Sequence, residues 1–233
     1  MRVLHVAQRY WPAAGGSFGF VKEISERLVR DGHEVVVLTT DALDMEYFWD
    51  RRKRRVTIGD EVVNGVIVRR FPVRHLPFAR IRYHGTRRLM TYLSRLAPIS
   101  LPALRLLCLS TPLVPQFHRH LARMTERLDV VHAGDILFDS LVAGALAYAR
   151  RRRIPFILTP FTHLGEPHDP TVRRYYTMAH QIEMARRSER VFVQTGIEGE
   201  YLTGAGVSAD RVVRLGMGVN VDQLQGGVGE RFR

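Results

Sequence analysis

The stretch DVVHAGDILFDSLVAGALAYARRRRIPFILTP, residues 129–160, decides the reading of this chain. Asp129–His132 is a short apolar run, Asp139 to Arg151 reads as a helix, and Pro155–Thr159 is apolar again. A strand, a helix and a second strand in that order make a unit whose strands run parallel. Both runs are continuous rather than alternating, which suits strands covered on both faces. Arg150–Arg153 close the helix, where cations meet the negative end of its dipole.

The same alternation extends in both directions. Val3–Ala7, Val35–Thr39, Arg190–Val193 and Arg211–Leu215 read as strands. Short strands at Thr57–Ile58, Val62–Val63 and Val66–Arg70 surround the turn Asn64–Gly65. Ser17 is placed to cap a helix carrying Val21, Ile24 and Leu28 and ending at Gly32. Further helices are expected over Thr171–Arg187 and Ile197–Leu202. Residues 78–127 are leucine-rich and read as helical, broken at Pro98, Pro102, Pro112 and Pro115. The expected class is α/β: a Rossmann-like parallel sheet of about seven strands with helices on both faces. Residues 1–215 would form that domain, and the glycine-rich residues 216–233 a linker.

Composition excludes several classes. Of 233 residues 45% are hydrophobic and 25% charged, which rules out a disordered or fibrous chain. Cys108 has no partner in the sequence, so a disulfide scaffold is excluded. The longest run without a formal charge, Leu106 to His118, falls short of the ~20 residues that span a bilayer. No secretory signal is recognisable at the N-terminus, and the expected location is cytoplasmic.

The net charge of +12 is local, because residues 51–128 hold 17 basic and only 3 acidic side chains. Almost all the basic residues are arginines, which bind phosphate in a bidentate manner. Arg80, Arg82, Arg87, Arg88 and Arg95 interleave with Ile81, Leu89, Leu93 and Leu96. Such a helix suits an anionic membrane surface, or else a solvated face over a core-facing stripe. No helix-turn-helix, zinc-finger or RNA-recognition pattern is present, and no nucleic-acid partner is expected.

In an open parallel sheet ligands bind beyond the carboxyl ends of the strands. After the first strand come Gly15, Gly16 and Ser17, where backbone amides at a helix start can approach a phosphate or simply form a turn. The spacing matches neither the dinucleotide fingerprint nor the P-loop. His132 and Asp135 end the next strand, placed to bond sugar hydroxyls or to serve as a core group and a helix cap. Thr162 and His163 follow the strand at Thr159, and Gln194 and Thr195 the strand at Val193. His163, Glu166 and His168 are read either as metal ligands or, with better fit to their spacing, as part of a neutral polar pocket. There is no G-x-S-x-G for a serine nucleophile.

The sequence Leu4-His5-Val6 to Gly15-Gly16, Gly32-His33-Glu34-Val35, Asp129 to His132, Thr159 to His163, Val191 to Thr195 and Arg211 to Asp222 resembles the N-terminal half of retaining GT-B glycosyltransferases of family 4. The resemblance implies an acceptor-binding domain facing a second, donor-binding domain, with Gly216–Asp222 as the connection and this chain as a truncated or isolated half. It implies transfer of a sugar from a UDP- or GDP-sugar to a hydroxyl acceptor, a glycan or a lipid-linked sugar, with retention, no resident cofactor and no metal. It assigns a catalytic position to His132, and to His163 if the loop shifts to bring it into the cleft, the other outcome being that this contact is missing. It assigns substrate contacts to Gly15 and Gly16, to which the strand-end positions add Ser17, Asp135, Thr162, Gln194 and Thr195 as candidates. It further implies work at the inner membrane face. The chain departs from the pattern twice: Gly134 stands where a second histidine is frequent, and Phe161 where a T-x-H histidine is expected. A non-catalytic nucleotide-binding or interaction module is the alternative that the incomplete set leaves open.

Overall fold

The computed structural model describes residues 1–13 and 15–218. In chain order the elements are β1 (Arg2–Val6), α1 (Gly16–Arg30), β2 (Glu34–Thr40), β3 (Asp60–Val63), β4 (Val66–Phe71), α2 (Ala79–Ser94), α3 (Leu101–Leu107) and α4 (Pro115–Arg123). They continue with β5 (Val130–Gly134), α5 (Asp139–Arg152), β6 (Phe156–Thr159), α6 (Ala179–Arg186), β7 (Arg190–Val193), α7 (Gly196–Gly204) and β8 (Val212–Arg214). The strands form one eight-stranded sheet in the order β3-β4-β2-β1-β5-β6-β7-β8. All neighbours pair in parallel except β3 and β4, an antiparallel edge hairpin turning at Asn64–Gly65.

Side chains alternate between two cores across the sheet. Leu4, Val6, Val36, Leu38, Val131, Ala133, Phe156 and Leu158 pack against Phe117 and Leu121 of α4 and Leu141, Val142 and Ala145 of α5. Val3, Ala7, Val35, Val37, Val66 and Val68 meet Val21 of α1 on the opposite face. Both faces of β1, β2 and β5 are therefore covered, which explains their unbroken apolar sequence. Gly144 of α5 lets the helix approach α4: an added Cβ would lie 2.8 Å from the Phe117 ring.

Several expectations are corrected by side-chain chemistry. Thr57–Ile58 forms no strand, and the edge strand begins at Asp60 instead. Pro102 and Pro115 begin α3 and α4 rather than breaking a helix, because a first-turn residue has no intrahelical use for its N–H. The helix expected from Thr171 starts only at Ala179. There Gln181 turns back, its Oε1 accepting from the Met178 N–H at 2.8 Å, and supplies the helix start. Gly15, not Ser17, is the N-cap of α1; its φ of 152° and ψ of 177° are accessible to glycine. From residue 219 onward the expected linker lies outside the described residues. Among the described residues no helix is long and apolar enough to cross a membrane.

Candidate active site

The strand order reverses between β1 and β5, so the connections after these two strands diverge and leave a crevice at their carboxyl ends. The loop after β1 brings Gln8 and Ser17 to this point, and the end of β5 brings Asp135. Gln8 Nε2 donates to Ser17 Oγ at 2.9 Å and to Asp135 Oδ2 at 2.9 Å, and Ser17 Oγ donates to the same carboxylate oxygen at 3.2 Å. The Leu137 N–H reaches Asp135 Oδ1 at 3.3 Å. Ser17 is thus bound to the carboxylate instead of capping α1, and Asp135 caps a turn before α5. Burial pushes the Asp135 carboxyl up to about 6, against the pull of the Leu137 amide, Ser17, Arg87 and Arg9. Gly16 is exposed, and a Cβ there would meet nothing within 4 Å. The first turn of α1 carries no acidic residue and no side chain caps it, so its dipole favours an anion.

His132 lies deeper, on the sheet face under α1. Its Nδ1 is 2.7 Å from Nδ1 of His5 and its Nε2 is 2.7 Å from Thr159 Oγ1. The tautomers that leave no N–H unpartnered have His5 donating to His132 and His132 donating to Thr159. Burial lowers His132 to about 4, and burial followed by the neighbouring ring lowers His5 well below the usual imidazole range. Both rings are neutral at physiological pH. His132 is placed as a satisfied group within the sheet, one layer beneath the crevice.

Thr162, Gln194 and Thr195 are gathered by Glu198, in the first turn of α7. The buried Glu198 carboxylate accepts from the Thr162 N–H at 2.6 Å and from the Gln194 N–H at 2.9 Å, tying the loops after β6 and β7 together. Thr195-Gly196-Ile197-Glu198 is a capping-box sequence, and Thr195 does cap α7 by accepting from the Glu198 N–H at 3.2 Å. The glutamate is diverted from the usual reciprocal bond to these two loop amides. The Gln194 amide and the Thr162 hydroxyl are themselves buried without a partner among the described residues.

The two departures from the family pattern meet in space. Phe161 takes a left-handed φ of 49° and its ring packs edge-on to Phe20 of α1, centroids 5.5 Å apart. The same ring passes over Gly134, where an added Cβ would lie 3.7 Å from Phe161 and 3.5 Å from Val21. His163 turns outward, exposed, and packs edge-on to Tyr176 at 5.0 Å.

Tyr176 belongs to a hollow of about 630 Å³ beside the crevice. Trp49 enters it from the loop after β2, Tyr83, His84 and Arg88 from α2, Leu137 from the turn after β5, and Arg174 and Tyr176 from the loop before α6. The rings of Trp49 and Tyr83 lie 5.4 Å apart. Burial, with a smaller contribution from the Asp135 charge, pushes the Tyr176 hydroxyl up to about 12.

Arg87, expected on an anion-binding surface, is instead 3% exposed. Its guanidinium donates to Asp139 Oδ1 at 2.6 Å, to the Leu137 carbonyl at 3.0 Å and to the Tyr175 carbonyl at 2.7 Å. His180 and Gln181 of α6 complete the bonds to Asp139, at 2.7 and 3.1 Å. Burial alone would raise Asp139, but Arg87 and His180 hold its carboxyl below the usual range. The stripe Tyr83, Arg87, Met90 has helical spacing, and this was the signal that Arg87 faces inward. Arg80, Arg82, Arg88 and Arg95 are exposed. Among the described residues no group of three or more His, Cys, Asp or Glu is placed to hold a metal ion, and the His163, Glu166 and His168 set forms none.

A family model described as a glycosyl transferase 4-like domain matches residues 15–218. No curated protein matches the chain. Among solved structures, trehalose-6-phosphate synthase from E. coli, bound with UDP-2-fluoro glucose, is 11% identical with a TM-score of 0.56, covering 100% of this chain and 53% of that one. HepE from Anabaena, in complex with UDP and glucose, is 13% identical with a TM-score of 0.51, covering 95% of this chain and 46% of that one. A UDP-GlcNAc 2-epimerase from Methanocaldococcus jannaschii is 10% identical with a TM-score of 0.49, covering 92% of this chain and 45% of that one. The chain spans about half the length of each. At these identities the likeness to the first two is one of fold, the GT-B arrangement.

Proposed function

The chain belongs to the glycosyl transferase 4-like domain family, and from that premise we propose that it forms the acceptor side of a sugar transfer from a UDP- or GDP-sugar to a hydroxyl group, with retention. The observation that carries this reading is the convergence of Gly16, Ser17, Gln8 and Asp135 at the strand-order reversal, beside an aromatic hollow wide enough for a sugar ring. The anomeric C–O bond to the diphosphate breaks, and its electron pair goes to the phosphate oxygen. The acceptor hydroxyl bonds the anomeric carbon on the same face and passes its proton to that leaving oxygen.

This chain's contribution is position and field. The open amides at Gly15–Gly16 meet negative charge on the departing diphosphate. Asp135, fixed by Gln8 and Ser17, orients a hydroxyl at the crevice. Thr162, Gln194 and Thr195 present polar groups from the loops that Glu198 holds. His163 lies at the rim of the hollow, and His132 acts from below by fixing Thr159 at the strand end. In this reading a second lobe, joined through the residues from 216 on, supplies the remaining donor contacts, and the charge on the diphosphate is met by amides and side chains without a metal or resident cofactor.

The membrane-facing part of the reading rests on α2 and α3. Phe78, Ile81, Leu96, Ile99 and Leu106 are each more than 60% exposed there, alongside Arg80, Arg82 and Arg95. Apolar side chains between arginines suit peripheral contact with an anionic bilayer at the cytoplasmic face.

The test is transfer of labelled sugar from UDP- and GDP-sugars to hydroxyl acceptors by the full-length gene product, with the product anomer assigned by NMR. The expected result is a product that keeps the donor configuration and a rate that falls about a hundredfold in Asp135→Ala. Micromolar binding of UDP or GDP with no transfer to any acceptor would instead establish a non-catalytic nucleotide-binding module. Co-sedimentation with phosphatidylserine but not phosphatidylcholine vesicles tests the membrane contact.

A further inference from the structure

Resting on the acceptor reading above, we infer that the hollow framed by Trp49, Tyr83 and Tyr176 takes a sugar that carries a phosphate group. Two features of the hollow point to this chemistry. Its walls are aromatic faces, the surfaces against which the C–H side of a sugar ring packs. Its polar content is cationic: Arg88 and Arg174 enter from different elements, and no aspartate or glutamate lines it.

These two arginines contrast with their neighbour. Arg87 also borders the hollow, but its charge is neutralised behind the wall by Asp139. Arg88 and Arg174 are both exposed. Arg174 stacks over the Tyr175 ring at 5.1 Å, and Asp169 acts on it only at longer range than an ion pair. His84, on the same wall, is lowered by burial and by Arg80 and Arg87, so it stands there as a neutral imidazole. Two guanidinium groups lining one aromatic hollow that no carboxylate lines suit a dianion held on a ring. A neutral acceptor would use the rings and leave both charges without a partner.

Position supports the assignment. Leu137 borders the hollow, and its N–H bonds Asp135 at the crevice. A sugar seated against Trp49 with its phosphate at Arg88 and Arg174 would thus share the Leu137 wall with the crevice.

The experiment is calorimetric titration of the chain with glucose 6-phosphate, methyl glucoside and inorganic phosphate at low and high salt. Glucose 6-phosphate is expected to bind about tenfold or more tightly than either fragment, with affinity falling as salt rises. Arg88→Gln and Arg174→Gln should each weaken it about fivefold or more, while Arg119→Gln, an exposed arginine remote from the hollow, leaves it unchanged. All three sites are exposed, so melting curves should coincide and a loss of binding reports the hollow. Equal affinity for methyl glucoside, or wild-type affinity in both hollow variants, overturns the inference.

A further arm separates a free sugar phosphate from a lipid headgroup. Phosphatidylinositol vesicles that bind through Arg88 and Arg174, and are displaced by glucose 6-phosphate, place the lipid-borne form of the same chemistry in the hollow. Vesicles that bind independently of both arginines leave the soluble sugar phosphate as its occupant. Arginine-dependent binding of the sugar phosphate without transfer from any nucleotide sugar would sink the transferase reading and keep this site. Transfer to neutral acceptors, unaffected in the Arg88 and Arg174 variants, would do the opposite.

Discussion

The carboxyl edge of the sheet and the α2–α3 excursion use polar side chains in opposite ways. At the sheet edge Gln8, Ser17 and Asp135 bond one another, His5, His132 and Thr159 form a chain, and Glu198 closes on two amides. On the outer side of α2 and α3 exposed arginines stand among exposed apolar residues. Arg87 and Arg88 mark the border between these regimes within two consecutive residues. A buried polar group gains most from a partner within the fold because water does not reach it, whereas Arg80, Arg82 and Arg88 of α2 are exposed and make no ion pair among the described residues.

The largest expected effect breaks the buried regime. Asp139→Ala leaves the Arg87 guanidinium without its counter-charge, and urea unfolding should show a loss of about 3–5 kcal/mol. Next comes pH. His132 is lowered to about 4, so the unfolded chain takes up a proton that the folded chain refuses as pH falls from 6.5. Its contribution is present above 6.5 and is lost progressively down to about 4. Asp135, raised to about 6, has the opposite sign: the folded chain is protonated first, which stabilises it on acidification below 6. Denaturation at steps between pH 7 and pH 4 should show a shallower decline in His132→Asn and a steeper one in Asp135→Asn.

Glu198→Ala sharpens the comparison from the catalytic side. It strands the Thr162 and Gln194 amides and should cost about 1–3 kcal/mol, with transfer falling more than stability alone explains. The smallest effect lies in the exposed regime. Leu96→Ser with Ile99→Ser should change unfolding by no more than about 0.5 kcal/mol, while vesicle binding drops sharply.

The same contrast explains what was legible in the sequence. The strands of the parallel sheet were readable because burial on both faces leaves an unbroken apolar run, as at Val35–Thr39 and Pro155–Thr159. That Gly15, Ser17 and Asp135 would stand together at strand ends was readable because they follow neighbouring strands in this class of sheet. The start of α6 was not, since it depends on where the Gln181 side chain turns. Arg87 was misplaced because a count of charges does not show which guanidinium meets a carboxylate 52 residues away. The aromatic hollow was invisible for the same reason: Trp49, Tyr83 and Tyr176 share no local pattern and meet only through the fold. Glu198 did carry a signal in its capping-box spacing, but that spacing foretold a local bond rather than the bridge between two loops.

Phe161 lying across Gly134 has a consequence for how this protein can change. A Cβ at 134 would sit in contact with both Phe161 and Val21, so a longer side chain there has to displace one of them, and a polar ring at 161 would give up the edge-on contact with Phe20. The two positions are therefore coupled through one contact, and a change at either is felt at the other. Imidazoles placed at 134 and 161 together would test that coupling, which a library varying one position at a time would pass over.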